Sequence, residues 1–364
     1  MNYELPKEIA PEVEALDDSE LAYLLTGAFN PKGGVLSIVG SSGMHVAGAA
    51  GETTSLLEAK GFRPLVMADG PAGLRISRKY FLDKKGIPQA MDGGMTELFG
   101  EFLPKPASLL LSLLQKKPGK NDEIKEQYAT SIPIGTAIAQ SWNVEFARDC
   151  GDIVGSEMVR FGIDFWLAPA LTIHRDPRCG RNFEYYSEDP LLSGLMAGAV
   201  TLGVQSHPGK SVTIKHYAAN NQETNRFANN SCVSERALRE IYLKGFGLCI
   251  REARPLAVMT SYNLLNGVHT SERGDLVDGI LRAEFGFQGI VMTDWIVRAM
   301  MKSGKYGMPD GWKIVDAGGE LLMPGSKEDY ESILNAVKTK RLTRERLLIN
   351  ASRIYRMIKM SAAE

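Results

Sequence analysis

The sequence predicts an α/β fold of the TIM-like (β/α)8 barrel type, allowing for irregular first strands, with a doubly wound sheet as the alternative. The first observation behind this prediction is a series of short, continuous apolar runs. Such runs suit a parallel sheet that is buried on both faces. The runs are Pro64–Ala68, Ile163–Ala168, Val212–His216, Leu256–Tyr262, Gly289–Asp294 and Gly319–Met323.

Helical periods between the runs are the second observation. Ser234 is a predicted N-cap, and the segment after it places apolar residues on one helix face. Thr343 is predicted to begin a similar helix near the C-terminus. Strands and helices that alternate over about 250 residues are typical of a barrel. The residues that share a face after Ser234 are Leu238, Ile241, Gly245, Leu248 and Cys249.

Polar side chains at the carboxyl ends of the runs are the third observation. Barrel enzymes place their chemistry at this end of the strands. A dinucleotide-binding sheet would instead carry a GxGxxG turn, and residues 40–43 lack that pattern. The strand-end residues are Asp69, Lys215, His216, Tyr262 and Asp294.

We predict a single domain over residues 1–364. A long insertion at about residues 76–128 interrupts the strand–helix repeat, and its sequence predicts a surface excursion with one amphipathic helix. Two interpretations of this insertion stay open: a surface loop without a specific role, or a lid or docking surface for another domain.

Composition excludes several classes of protein. The 364 residues are 44% apolar and 23% charged, as in an ordinary globular protein. A net charge of −1 leaves no basic surface to attract nucleic acid.

The N-terminus lacks a secretory pattern and the apolar run Ala107–Leu114 is too short to span a membrane, so we expect a cytoplasmic protein. Four widely spaced cysteines predict free thiols.

The segment Gly289–Trp295 ends in a carboxylate followed by a large aromatic ring. Cleavage of a glycosidic bond with retention needs a carboxylate that attacks the anomeric carbon, and a neighbouring ring can cover the apolar face of a sugar. A structural Asp294 that caps the next helix explains the same residues equally well.

Two further clusters could bind sugar hydroxyls. Asp69 and Arg75 lie in DGPAGLR, where the carboxylate could hold two hydroxyls or form an ion pair with the guanidinium. Lys215 and His216 end another run, and Arg181 lies in a loop rich in charge and aromatics. Neither cluster has the spacing of a metal site, and no cofactor is expected.

Five motifs in this order resemble the motif series of glycoside hydrolase family 3, in its β-glucosidase branch. They span about residues 60–325 and are DGPAGLR at 69–75, CGRNFEYYSEDP at 179–190, KHYAANNQETNR at 215–226, SYN at 261–263 and GIVMTDW at 289–295.

The resemblance implies a retaining β-glycosidase with Asp294 as the nucleophile. Its substrate would be an oligosaccharide or aryl glycoside that releases a non-reducing terminal sugar such as glucose or xylose. Trp295 would line subsite −1, and Tyr262 would lie beside the nucleophile. The residues implied to bind glycone hydroxyls, or to brace those that do, are Asp69, Arg75, Arg181, Lys215, His216 and Arg226.

The acid/base carboxylate is the main departure from the family. In the β-glucosidase branch it comes from a separate α/β sandwich domain, which this chain is too short to contain, so we expect that domain on a parent or partner chain. The β-N-acetylglucosaminidase branch is disfavoured, because YAANN follows Lys215-His216 where that branch has KH(F/I)PG(H)G. The insertion has no counterpart in the motif series. The alternative function is a non-catalytic sugar-binding barrel.

Overall fold

The structure is a computed structural model that describes residues 8–29, 44–92, 117–296 and 305–362. The parallel strands of its central sheet lie at the predicted apolar runs. Five of the six runs contain a strand, and the sixth, Gly319–Met323, contains the bridge residues Leu321 and Leu322. The strands are β1 Gly51–Glu52, β2 Val66–Ala68, β3 Lys79–Leu82, β4 Pro88–Ala90, β5 Lys125–Glu126, β6 Phe165–Trp166, β7 Ser211–Tyr217, β8 Asn230–Ser231, β9 Ala257–Thr260, β10 Leu264–Leu265, β11 Val268–His269 and β12 Ile290–Met292.

The helices alternate with the central strands, as the apolar periods predict. Ser234 and Thr343 cap their helices as predicted, since their side chains accept hydrogen bonds from Ala237 N and Arg346 N. The α-helices are α1 Pro11–Glu14, α2 Asp18–Leu24, α3 Gly135–Gln140, α4 Val144–Phe161, α5 Pro190–Val204, α6 Glu235–Ala237, α7 Lys244–Ala253, α8 Gly311–Asp316, α9 Lys327–Lys338 and α10 Arg344–Ser361. Short 3-10 segments lie at Glu58–Lys60 and Thr270–Glu272, and π-helical segments at Leu238–Tyr242 and Asp275–Glu284.

A curled six-stranded sheet with the order β1-β2-β6-β7-β9-β12 forms the centre of the fold. The strands from β2 to β12 are parallel, and β1 pairs antiparallel with β2. Neighbouring strands follow chain order, whereas a doubly wound sheet reverses its order at a switch point. Alternate residues point to two buried clusters: Val258 of β9 belongs to one, and Ala257 and Met259 belong to the other.

Backbone bridges extend this sheet beyond both of its edges. The segment at 321–322 lies beside β12, and the segment at 26–27 lies between it and the residues next to β1. Two hydrogen bonds support this path: Gly27 N donates to Leu322 O at 2.8 Å, and Ala28 N donates to Glu52 O at 2.9 Å. The bridges are Met292 with Leu321, Leu322 with Thr26, and Gly27 with Thr53.

The insertion contains a structure that the sequence did not predict. Strands β3, β4 and β5 form a three-stranded antiparallel sheet with the order β4-β3-β5. The amphipathic helix expected in the insertion was based on residues 107–114, which lie outside the described residues.

All four cysteines carry free thiols, with Cys150 and Cys249 buried. None of the helices in the described ranges is long and apolar enough to cross a membrane.

Candidate active site

The carboxyl ends of the parallel strands carry the predicted site residues. Asp69 follows β2 directly, and Lys215 and His216 lie in the last part of β7. Tyr262 and Asp294 each come two residues after their strands, β9 and β12. Parallel strands end at one edge of a sheet, so the alternation of strand and helix delivers these side chains to the same end of the fold.

The DGPAGLR turn brings Arg75 back to Asp69. Gly70 and Gly73 both have φ of +115°, a conformation that favours glycine. A Cβ atom on Gly70 would lie 2.1 Å from Gly73 O, so the turn leaves no room for a side chain at this position. Arg75 N donates to Asp69 O at 2.7 Å, which fixes the guanidinium beside the carboxylate.

Asp69 forms ion pairs with two cations. Arg75 Nη2 donates to Asp69 Oδ2 and Lys215 Nζ donates to Oδ1, both at 2.8 Å. Burial raises the pKa of Asp69, but Lys215 and Arg75 outweigh burial and hold that pKa well below its ordinary range. The ion pair that the sequence left open as an alternative is therefore present, with buried Lys215 added to it. The carboxylate retains acceptor capacity for a sugar hydroxyl.

Arg181 connects the loop after β6 to the end of β7. Its Nη2 donates to His216 Nε2 at 2.8 Å, and its Nε donates to Glu184 Oε1. The His216 and Glu184 side chains are 1% and 3% exposed. The guanidinium is therefore held from two sides by buried partners.

The imidazole of His216 is neutral at neutral pH. Burial, followed by the positive charges of Arg181, Lys215 and Arg226, holds the pKa of His216 well below its usual value. Because a guanidinium has only donors, His216 Nε2 accepts the hydrogen bond from Arg181 and the ring proton lies on Nδ1. Nδ1 is 3.4 Å from the hydroxyl of Tyr185.

Asp294 has one satisfied oxygen and one unpaired oxygen. Oδ1 accepts from Trp295 N at 2.8 Å. Oδ2 lies 3.7 Å from His216 Nε2, is buried, and receives no hydrogen bond from any described residue. A carboxylate oxygen with free lone pairs at a strand end can act as a nucleophile. The helix that Asp294 would cap in the structural alternative falls partly on residues 297–304, outside the described residues.

Tyr262 and Trp295 flank Asp294. The Tyr262 hydroxyl donates to Trp295 O at 2.9 Å, and burial together with the charge of Asp294 raises the pKa of Tyr262 far above its usual value. The Trp295 indole is 6% exposed and donates from Nε1 to Ala50 O at 3.0 Å. Its role in subsite −1 stays a prediction, since the ring is packed among core residues here.

The guanidinium of Arg226 packs against two aromatic rings beside the site. Its guanidinium carbon lies 4.9 Å from the ring centre of Phe227 and 5.0 Å from that of Tyr262. Its Nη1 donates to Glu223 Oε2 at 3.1 Å. A cavity beside Asp294 is lined by Phe227, Tyr262 and other residues of these strand ends.

The sequence did not assign roles to the two glutamates that hold the site arginines. Glu184 pairs with Arg181 and Glu223 pairs with Arg226, each three residues apart in the chain. This spacing could have indicated the two ion pairs, because opposite charges three residues apart can meet within one turn. Glu188, four residues after Glu184, is exposed.

Within the described parts of the chain, no group of three or more His, Cys, Asp or Glu side chains is arranged to hold a metal ion.

Comparison with known protein families identifies the chain's relatives. Residues 106–357, which are most of the chain, match the family described as Glycosyl hydrolase family 3 N terminal domain. The chain belongs to glycoside hydrolase family 3. The resemblance inferred from the five motifs is thereby confirmed.

Among the family 3 relatives, β-glucosidase A of Butyrivibrio fibrisolvens is 42% identical over 218 residues, which are 60% of this chain and 25% of that protein. β-Glucosidase of Ruminococcus albus is 49% identical over 167 residues, which are 46% of this chain and 18% of that protein. The chain thus spans about a quarter or less of the length of these relatives.

Solved family 3 structures have a similar fold. The structure of β-glucosidase 3B from Thermotoga neapolitana in complex with α-D-glucose matches 95% of this chain and 42% of that chain, at 36% identity and a TM-score of 0.76. A β-glucosidase from Bifidobacterium adolescentis matches 96% of this chain and 40% of that chain, at 30% identity and a TM-score of 0.71.

Proposed function

We propose that this chain is the barrel portion of a retaining β-glycosidase that forms a covalent glycosyl-enzyme on Asp294. The observation that carries the proposal is the free, buried oxygen Asp294 Oδ2 at the carboxyl end of β12, next to Tyr262 and the Arg181–His216 pair. The names of the relatives support a β-glucoside, so the substrate would be an oligosaccharide or aryl glycoside that yields terminal glucose or xylose.

In the proposed reaction, Asp294 Oδ2 attacks the anomeric carbon and displaces the aglycone oxygen, and water later releases the sugar. Arg75 and Lys215 would donate hydrogen bonds to glycone hydroxyls, and the carboxylate of Asp69 would accept hydrogen bonds from them. Arg181 and His216 lie between that cluster and Asp294 and would bind or brace the remaining hydroxyls, while Arg226 would brace Tyr262.

For the fold we propose a (β/α)8 barrel in which the segments at 26–28 and 321–322 are the two further strands. The bridges from β12 to Leu321, from Leu322 to Thr26 and from Gly27 to Thr53 support this closure. The irregular part would be the start of the ring, where β1 runs antiparallel to β2.

The acid/base carboxylate would come from an α/β sandwich domain on a parent or partner chain. The structural relatives support this, because the chain matches only 42% of the Thermotoga protein. A non-catalytic sugar-binding barrel is disfavoured, because such a protein gains nothing from an unpaired carboxylate oxygen buried beside the sugar site.

Covalent labelling tests the proposal. A 2-deoxy-2-fluoro-β-glucoside with a dinitrophenolate leaving group should label a peptide that contains Asp294. Asp294→Asn should keep the melting temperature and lose the label, because an amide has the same shape but does not attack the anomeric carbon. Asp176→Asn, in an exposed ion pair with Arg178, is the matched control and should label normally. A label on another residue would refute the assignment of the nucleophile.

A further inference from the structure

A continuous line of side chains leads from Glu184 to Asp294. Glu184 holds Arg181 Nε, Arg181 Nη2 donates to His216 Nε2 at 2.8 Å, and His216 Nε2 lies 3.7 Å from Asp294 Oδ2. Glu184 lies at the buried end of this line, and no described residue donates a hydrogen bond to its second oxygen.

The two neutral tautomers of His216 have opposite consequences for Asp294. With the proton on Nε2, the imidazole would be able to donate toward Asp294 Oδ2 and occupy a lone pair that the nucleophile needs. With the proton on Nδ1, Nε2 is an acceptor and Oδ2 stays free. Arg181 decides between the two tautomers, because its guanidinium can only donate.

Among the residues that the structure describes, the strong acceptor near His216 Nε2 is the carboxylate of Asp294. The charged groups that act on the imidazole are three cations and the carboxylate of Asp294, and the hydroxyl of Tyr185 lies 3.4 Å from its Nδ1. The three cations are Arg181, Lys215 and Arg226. By donating to Nε2, Arg181 therefore disfavours a proton on that nitrogen and so prevents a hydrogen bond from His216 to Asp294.

We propose that Glu184 is a positioning residue that fixes the Nδ1–H tautomer of His216 through Arg181 and so keeps Asp294 Oδ2 free for attack. This inference rests on the proposed function of Asp294. Glu184 holds the guanidinium by its Nε edge, and the Nη2 edge then faces His216. Loss of the carboxylate charge releases Arg181, allows the Nε2–H tautomer, and lets His216 donate to the nucleophile.

The test compares Glu184→Gln with Glu188→Gln in the full chain. Glu188 is exposed and four positions away, so its variant is the matched control. The first readout is the nitrogen-15 spectrum of the histidine side chains, with His216 assigned by a His216→Gln variant. The second readout is the rate of covalent labelling by the dinitrophenyl 2-deoxy-2-fluoro-glucoside.

Wild type and Glu188→Gln should show His216 protonated at Nδ1 between pH 6 and 8. Glu184→Gln should show a mixture with the Nε2–H tautomer and label roughly 10- to 100-fold more slowly, the range expected for losing a hydrogen bond to a charged group. In a double-mutant cycle, Glu184→Gln should add little to the effect of His216→Gln, because the first residue acts through the second.

An Nε2–H tautomer in the wild type would overturn the proposal, whether or not the Glu184→Gln variant folds. Equal spectra and labelling rates for Glu184→Gln and Glu188→Gln would also overturn it. If the wild type is not labelled at all, the proposed function fails instead, so the two failures are distinguishable.

Discussion

At the scale of single residues, the chemistry of the site depends on which charges are paired and which are left free. Asp69 has two cationic partners at 2.8 Å, whereas Asp294 Oδ2 accepts no hydrogen bond from the described residues and lies 3.7 Å from His216 Nε2. The two carboxylates therefore have different electrostatic environments, which their neighbours determine.

Asp69→Asn should weaken both folding and sugar binding. Because buried Lys215 loses its anion, the free energy of unfolding should fall by about 1–3 kcal/mol in urea titrations. Glucose affinity, measured by calorimetry, should fall tenfold or more, since an amide accepts hydroxyl hydrogens less strongly than a carboxylate. Asp176→Asn, in the exposed pair with Arg178, should change neither quantity measurably. Unchanged glucose affinity with lowered stability would assign Asp69 a purely structural role.

His216 should make stability depend on pH. The pKa of His216 in the folded protein lies well below its usual value, whereas the unfolded chain binds a proton near pH 6.5. The contribution is therefore fully present above about pH 6.5 and is lost as the pH falls toward the folded pKa, at up to about 1.4 kcal/mol per pH unit. Unfolding titrations at pH 7.5 and 5.5 should show a smaller drop for His216→Gln than for wild type. An equal drop in both proteins would contradict this prediction.

Part of this site follows from the sequence alone. Asp69, Lys215, His216, Tyr262 and Asp294 could be placed together because each follows an apolar run, and parallel strands end at one edge. The bonds of Arg181 to Glu184 and His216 could not be placed, because the loop at 169–189 has no periodicity from which side-chain directions can be read.

At the scale of secondary-structure elements, β12 is fastened by a buried ionic cluster. Glu320 is fully buried, and both its oxygens accept from Arg282 Nη2, at 2.6 and 2.7 Å. Arg353 Nη1 adds a bond at 2.7 Å, and Val291 N donates to Glu320 Oε2 at 2.6 Å. The cluster joins β12 to the segment that contains Glu320 and to α10. Its contact with β12 is at Val291, three residues before Asp294.

Glu320→Gln should destabilise the protein by about 3–5 kcal/mol, because it leaves two buried guanidinium groups without their shared anion. Chemical denaturation gives the free energy of unfolding. Glu331→Gln is the control, since Glu331 forms an exposed pair with Lys327 at 3.6 Å and should change stability by at most about 0.5 kcal/mol. Similar effects of the two variants would mean that the buried cluster adds no stability beyond that of a surface pair.

Elements were predictable where a pattern repeats and unpredictable where it does not. Apolar runs and caps located the central strands and the helices that begin after Ser234 and Thr343. The π-helical segment Leu238–Tyr242 interrupts one of those helices without a change in the apolar pattern. The antiparallel sheet of β3, β4 and β5 was missed because its strands are short and half exposed.

At the scale of the whole molecule, the chain spans about a quarter of the length of the curated relatives that it matches. The proposed nucleophile lies in the described residues, and the proposed general acid lies on another domain. The two steps of a retaining mechanism separate under these conditions, because only departure of a poor leaving group and attack by water need proton transfer.

The chain alone should therefore be nearly inert on cellobiose and should cleave dinitrophenyl glucoside in a burst followed by slow turnover. Hydrolysis of the intermediate lacks its general base, which is typically worth about 10²–10⁴-fold. Azide needs no base and should accelerate the slow phase and yield a β-glycosyl azide, detectable by mass spectrometry. Cellobiose hydrolysis at ordinary enzymatic rates would contradict the two-domain proposal.

Contacts between the first and last parts of the chain have a consequence for biosynthesis. Ala10 N donates to Ser352 Oγ over 342 sequence positions, and Arg344 donates to Leu16 O over 328 positions. A chain that leaves the ribosome from its N-terminus cannot make these contacts until residues 344–352 have been translated. Until residue 321 has been translated, β12 lacks its neighbour at Leu321, and its open backbone edge invites pairing with other nascent chains. Synthesis of this protein should accordingly benefit from chaperones that shield the edge until residue 321 has been translated.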